Sequence, residues 1–213
     1  RSQLSAKVAE EFLAQNYAFR KNILNGKVEF KDIQKDSDYR VFTKEALNSV
    51  IHRAKVEGME CEGKDIKEVI FSENTAIHDP IRDYMNGLPE WDGKDRVTPL
   101  WHRLGDVSDE MCEFLRIYHR SCVAHWLQLD TLHGNECVPT LIGDQGCGKT
   151  TFAKRLLPVE LRQYFLDHLN LSNKFDKEMA LTNNLLVNLD ELAAIRPSQQ
   201  ASLKQTLSKS KVN

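Results

Sequence analysis

This 213-residue chain lacks the cysteine pattern of a disulfide framework or a zinc site. Its five cysteines are odd in number, widely spaced and include no C-x-x-C pair. Long hydrophobic runs are also missing, because segments such as Leu185 to Val187 are far shorter than the roughly 20 residues of a membrane-spanning helix. The polar sequence after Arg1 does not have the composition of a secretory signal peptide. We therefore expect a protein of the reducing cytoplasm.

A strong net charge is absent as well, since 29 Lys and Arg oppose 31 Asp and Glu and leave a formal charge of −2. This balance excludes a strongly basic protein that coats nucleic acid and a strongly acidic tail. A polyanionic partner would therefore have to bind a local basic patch. One local bias exists, because residues 192–213 contain no acidic residue and carry +4. Lys204, Lys209 and Lys211 are therefore candidates for contact with single-stranded DNA. A solvated helix face explains the same bias.

Hydrophobic spacing and chain breakers predict two domains. Residues 1–105 are expected to form a mainly helical accessory domain. Its clearest helix is capped by Thr43 and stops at Gly58. Residues 106–213 are expected to begin with a long helix from Ser108 and to continue as alternating strands and helices. Such alternation is typical of an α/β domain with a parallel sheet covered by helices. One apolar face of the long helix is expected to hold Met111, Phe114, Leu115, Tyr118, Cys122, Trp126 and Leu129.

Shorter patterns predict the remaining elements. The opening helix is expected to end near Asn25 and Gly26, and a new helix is expected to start at Asp79 and Pro80. The predicted strands are Val28 to Phe30, Tyr39 to Phe42, Val138 to Ile142, Tyr164 to Leu169 and Leu185 to Leu189. The predicted helices of the second half are Lys149 to Leu157, Lys174 to Leu181 and Gln199 to Leu207.

A glycine-rich motif follows the strand predicted at Val138 to Ile142. Residues 143–150 read GDQGCGKT and match G-x-x-x-x-G-K-[ST], the Walker A phosphate loop. Glycines let the backbone wrap around phosphates, and the N–H groups at the start of the next helix point towards them. Lys149 is expected to reach the β- and γ-phosphates of ATP, and the Thr150 hydroxyl to bind Mg²⁺. The predicted nucleotide-binding residues are Gly143, Asp144, Gln145, Gly146, Cys147, Gly148, Lys149, Thr150 and Thr151.

Two adjacent carboxylates follow the apolar strand predicted at Leu185 to Leu189. Asp190 is expected to join Thr150 in holding Mg²⁺, as a Walker B residue. Glu191 is expected to orient and deprotonate the attacking water, so that Lys149 and Glu191 are the predicted catalytic residues. An isolated Asp-Glu pair commonly opens a helix. Behind a phosphate loop, the pair predicts hydrolysis of ATP.

Four segments together resemble the virulence-associated E family: the phosphate loop, Asn170 to Leu192, the ending SLKQTLSKSKVN and the loop PEWDGKDRV. The similarity extends from about Tyr39 onward. It implies a P-loop ATPase of phages or mobile elements, related to the superfamily 3 helicases and often joined to a primase domain. It also implies a homo-oligomeric ring when complete, with a sensor residue and an arginine finger beyond Asn213.

The number of predicted strands leads to the same expectation of a truncated P-loop NTPase core. Three strand candidates surround the phosphate loop, whereas doubly wound nucleotide-binding sheets generally have about five or six. We therefore expect this chain to be an internal fragment that binds nucleotide weakly and turns it over little.

Two other classes of function remain open beside the helicase-like or primase–helicase motor. A small-molecule kinase has a similar phosphate loop, but it must exclude water, whereas Asp190 followed by Glu191 favours hydrolysis. The other alternative is a non-catalytic interaction module in which nucleotide only switches the shape of the domain.

Overall fold

The computed structural model describes residues 2–129, 137–169 and 173–190, together with 200, 201 and 204. The chain divides into two compact units, Arg1–Pro80 and Ile81–Asn213. This division lies earlier in the chain than the domain boundary expected after residue 105. That expectation rests on the helix-breaking residues of the loop around Gly93. The domain limits 1–105 and 106–213 stay a prediction.

The first unit packs helices against a mixed sheet. Its elements are α1 (Ser2–Asn16), β1 (Tyr17–Asn22), β2 (Val28–Asp32), β3 (Arg40–Val41), α2 (Lys44–Val56), α3 (Gly63–Ile70) and β4 (Ala76–His78). The strand order is β3-β2-β1-β4, with β1 antiparallel to β2 and parallel to β4. The expected helical accessory domain therefore also contains a sheet.

The opening helix is shorter than its apolar spacing predicts. It ends at Asn16, whose Nδ2 donates to the Phe12 carbonyl oxygen at 2.9 Å. The chain then continues directly into β1, where Tyr17 and Phe19 share one face and Phe19 lies opposite Phe30. Aromatic residues two positions apart suit a strand with an aromatic partner across the ladder, and this pairing outweighs the helical spacing.

Several local predictions in this unit are confirmed. The helix after Thr43 is α2, and the Thr43 Oγ1 accepts from the Ala46 N–H at 3.3 Å. Gly58 has φ +71°, the left-handed conformation that ends helices. The strands predicted at Val28 to Phe30 and Tyr39 to Phe42 correspond to β2 and β3. Their buried side chains join a core made of Ala9, Phe12, Leu13, Tyr17, Val28, Phe30, Phe42, Val50, Ala54, Ile66 and Ile70.

The second unit is built from short elements around one long helix. After α4 (Pro80–Asn86), which begins at the division, come α5 (Val97–Trp101), α6 (Asp109–Trp126), α7 (Lys149–Arg155), β5 (Phe165–Leu166), α8 (Lys174–Asn183) and β6 (Leu186–Val187). Strands β5 and β6 pair in parallel, with Phe165 opposite Leu186. Two of the predicted strands are therefore present, although each is short. Within the described residues, no helix has the length and apolar character needed to cross a membrane.

Two predictions for this unit need correction. The described residues from Val138 to Ile142 form no strand. Leu141 packs against the core cluster of Trp101, whereas Ile142 is 94% exposed, so the run as a whole is not a buried strand. The long helix is confirmed as α6, but Met111 and Phe114 are exposed while its buried residues include Cys112 and Leu115. The helix is therefore rotated relative to the predicted face. Most of the helix predicted at residues 199–207 lies outside the described residues.

Candidate nucleotide site

The glycine-rich motif forms a tight turn that leads directly into α7. Gly146 has φ +80° and Gly148 has φ +92°, a backbone region that L side chains rarely adopt. Gly148 immediately precedes Lys149, the first residue of α7. The backbone path of this turn therefore requires glycine at two positions of the motif.

The side chain of Lys149 folds back onto the start of the loop. Its Nζ donates to the carbonyl oxygens of Gly143 and Asp144, each at 2.8 Å, and lies 3.7 Å from Cys147 Sγ. No carboxylate of the described residues lies within ion-pair distance of this ammonium group. Because bonds from an ammonium to an anionic oxygen are stronger than bonds to a neutral carbonyl, a phosphate would compete effectively for this lysine.

A cavity of about 410 Å³ adjoins the loop. Its volume lies in the range of small-molecule sites, about 300–1,000 Å³. Gly143, Lys149 and Thr150 line it from the loop and α7, and Asp190 lines it from the segment after β6. The structure thus brings together the lysine, the hydroxyl and one carboxylate that the sequence placed in a single site. Apolar residues form much of the remaining lining: Trp101, Val138, Pro139, Leu141, Ile142, Ala153, Leu156, Phe165, Leu186, Val187 and Leu189.

The other predicted site residues lie elsewhere or are not described. Thr151 lines a second cavity, not the first. Lys204 is an exposed helical residue. Glu191, Lys209 and Lys211 lie outside the described residues. The exposed loop residues that do not line the first cavity are Asp144, Gln145, Gly146, Cys147 and Gly148.

A polar pair that the sequence analysis missed connects the ends of the two parallel strands. Asn188 Nδ2 donates to Asp167 Oδ1 at 3.3 Å, and the Asn188 N–H donates to the Leu166 carbonyl oxygen at 2.8 Å. Asn188 lines the same cavity as Asp190. The sequence does contain a signal for this pair, since a polar residue directly follows each apolar strand. The carboxyl ends of parallel strands meet at one edge of a sheet, so such residues are expected to lie close together.

Trp101 packs the loop's helix against the long helix. The residue is 2% exposed, and its ring centroid lies 5.3 Å from that of Phe152 in α7. Its Nε1–H donates to Nε2 of His119 in α6 at 2.9 Å. The position of α7 therefore depends on an aromatic contact, and the position of the indole depends on a neutral imidazole nitrogen.

This hydrogen bond predicts a pH dependence of stability. Burial lowers the pKa of His119 below its ordinary value of 6.5. The unfolded chain therefore takes up the proton first, so the stabilisation is complete above about pH 6.5 and is lost as pH falls towards the lower folded pKa. We expect the urea midpoint of the second unit to fall from pH 7 to pH 5. All three tryptophans, Trp91, Trp101 and Trp126, lie in this unit, so their fluorescence reports its unfolding.

The His119→Gln variant isolates this contribution. An amide does not titrate in this range, so we expect its midpoint to change less between pH 7 and pH 5 than that of the wild type. Equal changes in the two proteins would show that His119 does not carry the effect.

The second unit is thus a mixed α/β structure that contains a glycine-rich turn, a lysine and a carboxylate around one cavity. The model of the virulence-associated protein E-like domain matches residues 85–213, more than half of the chain. The chain belongs to the virulence-associated protein E-like family, as its motifs predicted. Membership associates it with the replication proteins of phages and mobile elements. No curated protein matches the sequence.

Proposed function

We propose that this chain contains the nucleotide-binding part of a P-loop ATPase, a helicase-like motor that serves phage or mobile-element DNA replication in the cytoplasm. The observation that carries the proposal is the single cavity lined by Lys149, Thr150 and Asp190. These are the residue types that bind phosphate and Mg²⁺ in P-loop enzymes. A glycine-rich turn without a ligand would not need a carboxylate from a distant strand at the same cavity.

The donor groups at this cavity fit a magnesium–nucleotide complex. The Thr150 hydroxyl and the Asp190 carboxylate offer the hard oxygen ligands that Mg²⁺ prefers, with phosphate oxygens and water completing its shell. Bound Mg²⁺ neutralises charge on the β- and γ-phosphates. No group of three or more His, Cys, Asp or Glu among the described residues could hold a metal by itself. A metal that arrives with the nucleotide therefore suits the described part of this site better than a resident one.

The chain's own residues position and neutralise the phosphates. Lys149 would exchange its two carbonyl partners for phosphate oxygens, and the backbone of the glycine-rich loop would surround them. Glu191 follows Asp190 directly, and we assign it the role of orienting and deprotonating water. The segment 192–213 contains no acidic residue, and its lysines are proposed to contact single-stranded DNA in a homo-oligomeric ring. These lysines are Lys204, Lys209 and Lys211.

Asp190→Asn tests the magnesium part of the proposal. We expect wild-type protein to bind ATP more tightly with Mg²⁺ than with EDTA, and the variant to lose most of this difference. The amide keeps the shape of the side chain but removes the charge that attracts the cation. The measurement is isothermal titration calorimetry with ATP in the two buffers. Asp106→Asn, an exposed carboxylate of the same unit outside the cavity, is the matched control.

Phosphate release tests the motor itself. DNA-stimulated release by the full-length gene product, lost in Glu191→Gln, supports a motor. Magnesium-dependent ATP binding without release would favour a nucleotide-switched interaction module instead. If Asp190→Asn and its control retain the same response to Mg²⁺, the assigned site is wrong.

A further inference from the structure

A second cavity, also about 410 Å³, shares Thr150 with the first. Thr151 lines it as well, and Phe165 of β5 contributes an aromatic surface. The charged residues of its lining are Lys154, Arg155, Arg162 and Asp167. We call this second cavity the basic cleft. Three cations and one carboxylate give it a formal charge of +2, although the whole chain carries −2.

The cations of the basic cleft are not neutralised by neighbouring carboxylates. In the described part of the chain, no Asp or Glu oxygen lies within 4.0 Å of the side-chain nitrogens of Lys154, Arg155 or Arg162. By contrast, Arg53 bonds Glu57 at 2.7 Å and Arg96 bonds Asp92 at 2.7 Å. The one carboxylate among the described lining residues of the cleft, Asp167, forms no ion pair with these cations, and the remaining charge of +2 favours a bound anion.

Part of the cleft is held in place by backbone and strand contacts. Arg162 Nε donates to the Leu157 carbonyl oxygen at 3.1 Å, which orients the guanidinium. Asp167 accepts from Asn188, which orients the carboxylate that limits one side of the cleft. Lys154 and Arg155 end α7 and are exposed. A fixed arginine beside two accessible cations suits an anion that approaches from solvent.

We propose that the basic cleft binds a phosphate group, as a second phosphate site next to the glycine-rich loop. Arginine presents a planar fork that matches phosphate oxygens, and lysine adds a point charge. The phosphate comes either from a single-stranded DNA backbone or from the nucleotide in the adjoining cavity. That DNA and nucleotide are the two candidate sources follows from the proposed function. The inference that the cleft binds a phosphate group follows from its charge and geometry alone.

The test compares two double variants of the complete chain. Lys154→Ala with Arg155→Ala removes two exposed cations of the cleft. Arg103→Ala with Arg120→Ala removes the same charge from exposed positions of the same unit that do not line the cleft. The probes are a fluorescein-labelled oligo-dT of about 20 nucleotides, followed by anisotropy, and ATP with Mg²⁺, followed by calorimetry.

If the phosphate is a DNA phosphate, the cleft variant binds oligo-dT roughly tenfold more weakly than the control variant. Its plot of log affinity against log salt loses about 1.4 units of slope, about 0.7 for each contact removed from a single strand, while ATP affinity stays unchanged. If the phosphate belongs to the nucleotide, ATP affinity falls and oligo-dT binding does not. Arg155→Lys, which keeps the charge, should retain more of the affected binding than Arg155→Ala.

Equal binding of both probes by the cleft and control variants would overturn the proposal. Both substituted residues are exposed, and a urea midpoint equal to that of the wild type verifies that the fold is intact. Lys149→Ala separates this outcome from failure of the proposed function. Unchanged ATP binding in that variant would reject the nucleotide site, while weaker oligo-dT binding in the cleft variant would still support a second phosphate site.

Discussion

Replacing Lys149 by alanine is expected to weaken ATP binding by roughly 10- to 100-fold. Hydrogen bonds to charged groups contribute about 1.5–3 kcal/mol, which corresponds to such a change in affinity. In the free protein the ammonium bonds only the carbonyl oxygens of Gly143 and Asp144 on an exposed turn. The free energy of unfolding should therefore change by less than about 1 kcal/mol. Calorimetry with ATP and Mg²⁺ measures the first effect, and urea unfolding the second.

Two further variants make the Lys149 result specific. Lys149→Arg keeps the charge but replaces a compact ammonium by a planar guanidinium, so we expect it to recover only part of the affinity. Lys94→Ala removes an exposed lysine of the same unit and should bind ATP like the wild type. If Lys149→Ala binds as tightly as Lys94→Ala, the glycine-rich turn does not bind phosphate.

Truncating Trp101 is expected to destabilise the second unit by about 3–5 kcal/mol. The indole is 2% exposed and belongs to a core cluster with Cys112 and Leu115. Trp101→Ala leaves a cavity against Phe152 and removes the donor to His119 Nε2. Urea unfolding followed by far-UV circular dichroism measures the loss without depending on the deleted fluorophore.

Trp91→Ala is the matched control for this truncation. Trp91 is 76% exposed, and its Nε1–H donates to the Lys94 carbonyl oxygen within its own loop at 3.3 Å. Its removal should cost less than about 1 kcal/mol. Trp101→Phe should fall between the two, because the ring contact persists while the hydrogen bond is lost. Similar losses for Trp101→Ala and Trp91→Ala would contradict the packing role.

Local signals predicted the ends of elements well wherever their physical cause is local. Thr43 caps α2 through its own hydroxyl, and Ser108 caps α6 by accepting from the Met111 N–H. The prediction that the first helix extends to about Asn25 was wrong. The chain after Asn16 forms a strand, because Phe19 pairs with Phe30 on the neighbouring strand. A partner distant in the chain leaves no trace in the apolar spacing of the helix itself.

The site shows the same division between local and distant causes. The motif GDQGCGKT could be read directly, since glycine at positions such as Gly146 and Gly148 reflects the backbone conformation that the turn adopts. The polar pair of Asp167 and Asn188 could not, because each residue is ordinary in its own segment. Only the parallel pairing of β5 with β6 places them together.

The amino-acid sequence by itself determined the family, the phosphate-loop motif and the candidate residues Lys149, Thr150 and Asp190, because these depend on residue type and short-range spacing. Tertiary structure alone decided that these three line one cavity and that Trp101 supports α7. It also decided that Arg162 joins Lys154 and Arg155 in the basic cleft. Contacts between distant segments arise from packing and strand pairing, and the pattern of a single segment does not contain its partner.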